Sequence, residues 1–228
     1  MKLKLALLAL SACVCAGVAA PFQNLNFYEG NTSHVDAEGF GPTAELLPAW
    51  QVAYPSGVWS SIFYNSSPLG DGWVALLPKE NFGGSPGYPV FGLYSLAVDP
   101  AVSPGSLNPI MLSQRGDVPG DASSITFLNY GAPFELRLNN TLIPLTYQGG
   151  SPFDTRQVRL ASGDVSAFAG LNVEMTFSAF YEPTVPRVFI HGLDSISFVV
   201  PEPSTWLMLG FGAATLWAVR HSCRRNTG

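Results

Sequence analysis

The sequence predicts an all-β fold, a two-sheet sandwich of the jelly-roll type, between residues 20 and 200. Glycine and proline, 23 and 19 in number, interrupt the chain every few residues. No stretch of this body keeps a helical hydrophobic period over three turns. Short segments of alternating apolar and polar residues fill the intervals, as strands with one buried face do. About ten such segments favour a jelly-roll sandwich, flanked by an N-terminal signal peptide and one C-terminal transmembrane helix.

The predicted strands follow one another along the body, joined by turns rich in Gly, Pro and Asn. The clearest pair is a hairpin, in which residues 134–138 alternate strictly, Asn139 and Asn140 turn, and residues 142–145 return. Asparagine tolerates the positive φ angles of a type I′ turn, which supports this pairing. One helical turn is predicted at 164–168. The other predicted strands are 57–64, 73–77, 91–98, 124–128, 173–179 and 196–198.

The first residues predict export. A positively charged start precedes an apolar run that ends in small residues at 17–20, which is the pattern of a secretory signal peptide. We place this peptide at 1–19, with cleavage after Ala19 or Ala20. The alternative is a lipoprotein box, which would leave a lipidated Cys13.

The segment 201–228 has the pattern of a membrane anchor with a rigid entry and a basic end. An uncharged span of 16 residues occupies 204–219, and as a helix it would rise about 24 Å. Trp206 at one interface and snorkelling arginines at the other would let it cross a ~30 Å hydrocarbon core. The basic end predicts a cytoplasmic C-terminus and an exported body. The flanking motif residues are Pro201, Glu202, Pro203, Arg220, Arg224 and Arg225.

This order of Pro-Glu-Pro, apolar span and arginines resembles the PEP-CTERM sorting signal of exported bacterial proteins. The resemblance implies recognition by an exosortase-like enzyme in the inner membrane, which passes the protein to the cell surface or extracellular matrix. Within the body, short segments such as 116–125 and 193–198 resemble sequence patterns of exported jelly-roll domains of the galactose-binding type. That second resemblance implies polysaccharide as a partner, by analogy of fold.

The body is acidic and contains no cysteine. Six basic and 15 acidic side chains lie between residues 20 and 200, a formal charge of −9. This balance argues against nucleic acid and anionic membrane surfaces as partners, and it is compatible with calcium. The three cysteines, at 13, 15 and 223, lie outside the body. The domain is therefore expected to rely on its hydrophobic core rather than on disulfides.

Three tryptophans are the candidate carbohydrate-binding residues of the body. Trp50, Trp59 and Trp73 crowd its first third. Exposed rings would stack on sugars, whereas buried rings would simply belong to the core, and the core is favoured for each ring taken alone.

Two carboxylates are the candidate ligands of a structural Ca²⁺ ion, and no other cofactor is predicted. Glu29 follows the first strand and Asp194 opens the last, and these strands are often neighbours in a jelly roll. Such carboxylates, with loop carbonyls, supply the oxygen ligands that Ca²⁺ requires. The simpler alternative is a pair of solvated acids at strand ends.

No set of residues indicates catalysis. Residues 83–87 spell G-x-S-x-G, but Pro86 follows the serine, and a strand rather than a helix is predicted next. The body contains two histidines, His34 and His191, and the spacing of neither to a serine and a carboxylate supports a catalytic triad. Without cysteine, two histidines are also too few ligands for a zinc site. The sequence therefore predicts a non-enzymatic surface or matrix protein. A carbohydrate-binding module is the first alternative and a hydrolase the second.

Overall fold

Strands dominate the part of the chain that the computed structural model describes, which is residues 20–54, 57–66, 72–79, 90, 92–100, 109–151, 157–181 and 190–201. They are β1 (Phe40–Pro42), β2 (Gln51–Tyr54), β3 (Gly57–Val58), β4 (Ser61–Tyr64), β5 (Trp73–Pro78), β6 (Tyr94–Asp99), β7 (Ile110–Asp117), β8 (Ser124–Gly131), β9 (Glu135–Leu138), β10 (Thr141–Ile143), β11 (Thr146–Gln148), β12 (Val158–Asp164), β13 (Asn172–Ala179) and β14 (His191–Val199). Helical structure in these residues comprises α1 (Thr43–Leu46), a 3-10 turn (Ser166–Phe168) and the single helical position Lys79.

The strands form two sheets, which confirms the predicted all-β, two-sheet architecture. The eight-stranded sheet has the order β1-β4-β5-β6-β14-β8-β12-β11, and the six-stranded sheet has the order β10-β9-β13-β7-β2-β3. Among these strands, β4 and β5 pair in parallel, whereas the other adjacent pairs are antiparallel.

From β6 onward the chain folds as a jelly roll. Strand β9 pairs with β10, β8 with β12, β7 with β13 and β6 with β14. These nested antiparallel pairs alternate between the six-stranded and the eight-stranded sheet, which is the winding of a jelly roll. The first five strands extend the sheets at their edges, so the jelly-roll prediction is confirmed by topology.

The predicted hairpin is present with the predicted turn. Leu138 pairs with Thr141 across the two-residue connection. Asn139 and Asn140 have φ angles of 45° and 64°, the left-handed values that a type I′ turn requires. The predicted helical turn is a single 3-10 turn, where the Asp164 carboxylate accepts a 2.9 Å hydrogen bond from the backbone N–H of Ser166.

One predicted strand is wrong as a single element. The segment 57–64 divides into β3 and β4, which lie in different sheets. The chain changes sheets at Ser60, whose carbonyl accepts a 2.9 Å hydrogen bond from the backbone N–H of Thr43 in α1. The sequence marks this crossover only by two adjacent polar residues, Ser60 and Ser61, with strand-forming residues on both sides of them.

Aromatic rings join the two sheets at the centre of the core. Phe127 of β8 meets Phe177 of β13 edge to face at 5.1 Å between ring centroids. Phe134 also meets Phe177 edge to face, at 5.9 Å. All three rings are buried, and edge-to-face pairs add to the stabilisation that comes from buried area.

The eight-stranded sheet is also apolar on its outer face. A second cluster lies there, built from buried side chains of β5, β6 and β8 with two flanking residues: Trp73, Ala75, Leu77, Val90, Ala97, Tyr130 and Ile190. Strand β5 is buried along its whole length, which explains why its sequence is a continuous apolar run rather than an alternating one.

Gly192 is required by the packing of this outer cluster. It pairs with Tyr130 in the neighbouring strand, and the tyrosine ring lies directly across it. A Cβ atom at position 192 would lie 1.9 Å from a carbon of that ring. Because Tyr130 is 1% exposed, its ring has no open space to move into, and a larger residue would disrupt the strand pair.

The chain that precedes β1 is fastened to the six-stranded sheet. The Ala20 carbonyl accepts a 3.0 Å hydrogen bond from the Asp117 backbone N–H at the end of β7. The side-chain amide of Gln114 pairs with the backbone of Gln23 in both directions, at 2.6 and 2.9 Å. The first residues after the predicted signal peptide are therefore part of the fold.

Within the described residues, no helix has the length and apolar character needed to cross a bilayer. The predicted signal peptide at 1–19 and the predicted transmembrane helix at 204–219 lie outside those residues.

Candidate functional site

Two of the three candidate tryptophans are core residues. Trp50 is 4% exposed, its Nε1 donates a 3.1 Å hydrogen bond to the Asn24 carbonyl, and its ring packs near Phe27 and Phe177. Trp73 is 3% exposed and belongs to the separate outer cluster. The interpretation as core residues, favoured for each ring taken alone, is therefore correct for both.

Trp59 is the exception, because it lies half-buried beside an exposed edge. Its ring stacks on Tyr54 at 6.0 Å between centroids, with an interplanar angle of 26°. The adjoining Val58 of the edge strand β3 is 66% exposed. Burial therefore excludes Trp50 and Trp73 as exposed sugar-stacking rings, and Trp59 is the candidate that stays partly exposed.

The two candidate calcium ligands lie in contrasting environments. Glu29 is exposed, whereas Asp194 is 1% exposed. The Asp194 oxygens accept hydrogen bonds from the Ser95 hydroxyl and from the Ser195 backbone N–H, both at 2.5 Å. These hydrogen bonds stabilise the buried carboxylate. Across the described ranges, no three His, Cys, Asp or Glu side chains gather as a metal site would require, and calcium stays a prediction.

The sorting-motif residues begin where the body ends. Strand β14 ends at Val199, and Pro201 is exposed just beyond it. The other predicted motif residues, Glu202, Pro203, Arg220, Arg224 and Arg225, lie outside the described residues. So does Ser85 of the G-x-S-x-G spelling.

A buried polar cluster was not predicted from the sequence. We call it the Arg159 cluster, and it consists of Asn129, Tyr147, Arg159 and His191. Arg159 is 3% exposed, and its Nη2 donates hydrogen bonds to Asn129 Oδ1 at 2.5 Å and to the Gly131 carbonyl at 2.8 Å. Its guanidinium carbon lies 4.5 Å from the centre of the Tyr147 ring, within the range of a cation–π contact.

Backbone carbonyls complete the Arg159 cluster. The Asn129 amide nitrogen donates to the Ala132 and Gly192 carbonyls at 3.0 and 3.1 Å. The Tyr147 hydroxyl lies 3.1 Å from the Phe134 carbonyl, and His191 Nε2 lies 3.0 Å from the Phe180 carbonyl. No carboxylate forms an ion pair with Arg159 in the described part of the chain.

Burial shifts every titratable group of this cluster toward its neutral form. It raises the pKa of Tyr147 to about 12, against the effects of the Arg159 charge and the Phe134 carbonyl. It lowers the pKa of Arg159 from its ordinary value. It also lowers the pKa of His191 to about 4. The Arg159 charge lowers this pKa further, whereas the Phe180 and Pro133 carbonyls act in the opposite direction and raise it. His191 is therefore uncharged at neutral pH.

The chemistry of the cluster is that of a structural hydrogen-bond network. It holds a cation, a neutral imidazole and a phenol, and the hydrogen bond described for the His191 ring goes to a backbone carbonyl. One sequence signal could have located it. Arg159, Ala161 and Gly163 share the buried face of β12, so the alternation of that strand places an arginine in the interior.

Comparison with known proteins adds two findings. Residues 199–225 match the PEP-CTERM protein-sorting motif. A solved structure of the carbohydrate-binding module TmCBM61, in complex with β-1,4-galactotriose, matches with a TM-score of 0.40 and 13% identity, over 79% of this chain and 98% of that chain. No curated protein matches the chain significantly. The body has the jelly-roll topology described above, and the PEP-CTERM sorting motif that follows it implies an exported protein sorted by an exosortase.

Proposed function

We propose that this protein is a non-enzymatic component of the cell surface or of the extracellular polysaccharide matrix. The observation that carries the proposal is the sorting-motif match at 199–225, which begins on the last residue of a complete jelly roll. We expect the jelly-roll body to fold on its own outside the cell, and such a body needs only temporary attachment to the inner membrane. The uncharged span at 204–219 would provide it until the sorting enzyme acts.

The settings of the two histidines support a role without catalysis. His34 lies on the surface, where its Nδ1 is 2.6 Å from a Glu45 oxygen. His191 is buried and bonded to a backbone carbonyl. Neither is paired with a nucleophile among the described residues, so neither belongs to a Ser-His or Cys-His catalytic pair there.

Replacing both motif prolines tests the sorting proposal. In cells that contain an exosortase, the Pro201→Ala/Pro203→Ala variant should stay in the membrane fraction, whereas the native protein should reach the surface or the medium. A Pro119→Ala/Pro144→Ala variant is the matched control, because it changes two prolines in the body, and it should behave as the native protein does. Equal release of the motif variant and the native protein would refute the proposal.

A second candidate function is carbohydrate binding at Tyr54 and Trp59. The specific observation is that these stacked rings are both half-buried at the edge of the six-stranded sheet. Aromatic rings presented in this way can stack against the apolar C–H face of a sugar. The acidic body favours neutral over anionic polysaccharide, because like charges repel.

The Trp59→Ala variant tests this second function. If the ring pair binds polysaccharide, the variant should lose about tenfold or more in affinity, as expected for one stacking ring worth ~1.4 kcal/mol. A glycan-array screen of the native protein would identify a ligand, and isothermal titration calorimetry would then measure its affinity for the native protein and the variant. Phe40→Ala is the control, because Phe40 is also an exposed aromatic residue at 38% but belongs to the other sheet. Unchanged affinity in Trp59→Ala would exclude this site.

A further inference from the structure

The sorting motif follows the last strand almost without a spacer. Val199 is the final residue of β14 and pairs with Ser124 of β8. Only Val200 separates it from Pro201. The chain therefore passes within one residue from a paired strand to the first proline of the motif.

Ser123 fastens the end of this strand on one side. Its backbone N–H and its hydroxyl both donate to the Val199 carbonyl, at 2.9 and 3.1 Å. The two donors together hold the last peptide group of β14 in the sheet.

The first residues of the body fasten the same strand from the other side. Phe22 is 9% exposed, and its ring stacks on Phe198 at 5.5 Å between centroids and an angle of 25°. The Leu25 carbonyl accepts a 3.0 Å hydrogen bond from the Ile196 backbone N–H. Gly116 makes room for this segment, because a Cβ atom there would lie 2.7 Å from the Phe22 ring.

A processing enzyme generally binds its substrate as an extended segment whose backbone groups are free to pair with the enzyme. Up to Val199 the chain does not fully meet that requirement, because one edge of β14 is paired with β8 to its end. They become available when the strand end opens locally, and a paired segment is reached by enzymes through such openings.

We infer that the end of β14, fastened by Ser123 and Phe22, controls the rate at which the sorting enzyme engages the motif. Opening of this strand end is the step that precedes sorting, and the segment left after signal-peptide removal holds it closed. The inference rests on the proposed sorting function. It adds that a contact within the body, outside the motif, sets the speed of sorting.

A spacer inserted between Val200 and Pro201 tests the inference directly. Eight Gly and Ser residues would free the chain before the motif without removing any contact of the body. In cells with an exosortase, the initial rate of release from the membrane should rise about fivefold or more. Ser123→Ala, which removes one hydrogen bond to Val199, should raise the rate by roughly fivefold. Ser113→Ala, on the outer face of the other sheet, is the matched control and should leave the rate unchanged.

The outcomes separate this inference from the function on which it rests. An unchanged release rate in the spacer variant overturns the inference while sorting itself stands. A slower rate also overturns it, because it would mean that the enzyme docks on the end of the sandwich. If the native protein and the motif variant are released equally, the sorting function fails and the inference falls with it. Melting temperatures of purified Ser123→Ala and native protein would verify that the body stays folded.

Discussion

Replacing Asn129 with alanine is expected to lower the free energy of unfolding by about 3–5 kcal/mol. The side chain is 0% exposed, and it both accepts from Arg159 and donates to two backbone carbonyls. Alanine would remove one hydrogen-bond acceptor from the buried Arg159 guanidinium. It would also remove the amide donor that serves the Ala132 and Gly192 carbonyls. This loss is large against the 5–15 kcal/mol of a typical domain.

Urea unfolding of the exported body at neutral pH measures this effect. Asn172→Ala is the matched control, because Asn172 Oδ1 also accepts from an arginine, Arg115 at 2.9 Å, but on an exposed face. We expect the control to lose less than about 1 kcal/mol. If the two variants were equally stable, the Arg159 cluster would not be an organising part of the fold.

Lowering the pH from 7 to 4 is expected to remove about 3 kcal/mol of stability through His191 alone. Its pKa in the folded protein is about 4, below the ordinary value of 6.5. The unfolded chain therefore takes up the proton first as the pH falls. The contribution of the neutral histidine is complete above pH 6.5, and it is lost between pH 6.5 and pH 4.

Comparing the pH dependence of the unfolding free energy in His191→Phe and in the native protein isolates this contribution. The acidic groups titrate in both proteins, so their effect cancels in the difference. The difference in unfolding free energy between pH 7 and pH 4 should be smaller in His191→Phe by about 3 kcal/mol. A native-like pH dependence in His191→Phe would show that its burial has no such effect on stability.

The fold was predictable wherever a local pattern determined the structure. The Asn139–Asn140 turn and its flanking alternation gave the hairpin correctly, because turn geometry and pleat act over a few residues. Strand β7 was not predicted, since its interior carries Ser113, Gln114 and Arg115. It is stabilised instead by its central place between β13 and β2, which is a long-range property.

The candidate sites were less predictable than the fold, because burial depends on partners distant in sequence. Trp50 and Trp59 are the same residue type, yet their surroundings differ. Trp50 packs near Phe27 and Phe177, whereas Trp59 lies at a sheet edge. Arg159 is buried because Asn129, 30 positions away, supplies an acceptor. No local pattern contains that information. The sorting motif, by contrast, is a linear signal, and its residues are adjacent along the chain.

The intact mass of the protein recovered outside cells that contain an exosortase tests the central claim most directly. We expect a chain that begins near Ala20 and ends before Trp206, because the body is exported through its signal peptide and freed from its membrane span. The Pro201→Ala/Pro203→Ala variant should yield no such product. Recovery of the released protein with residues 206–225 still attached would contradict the account.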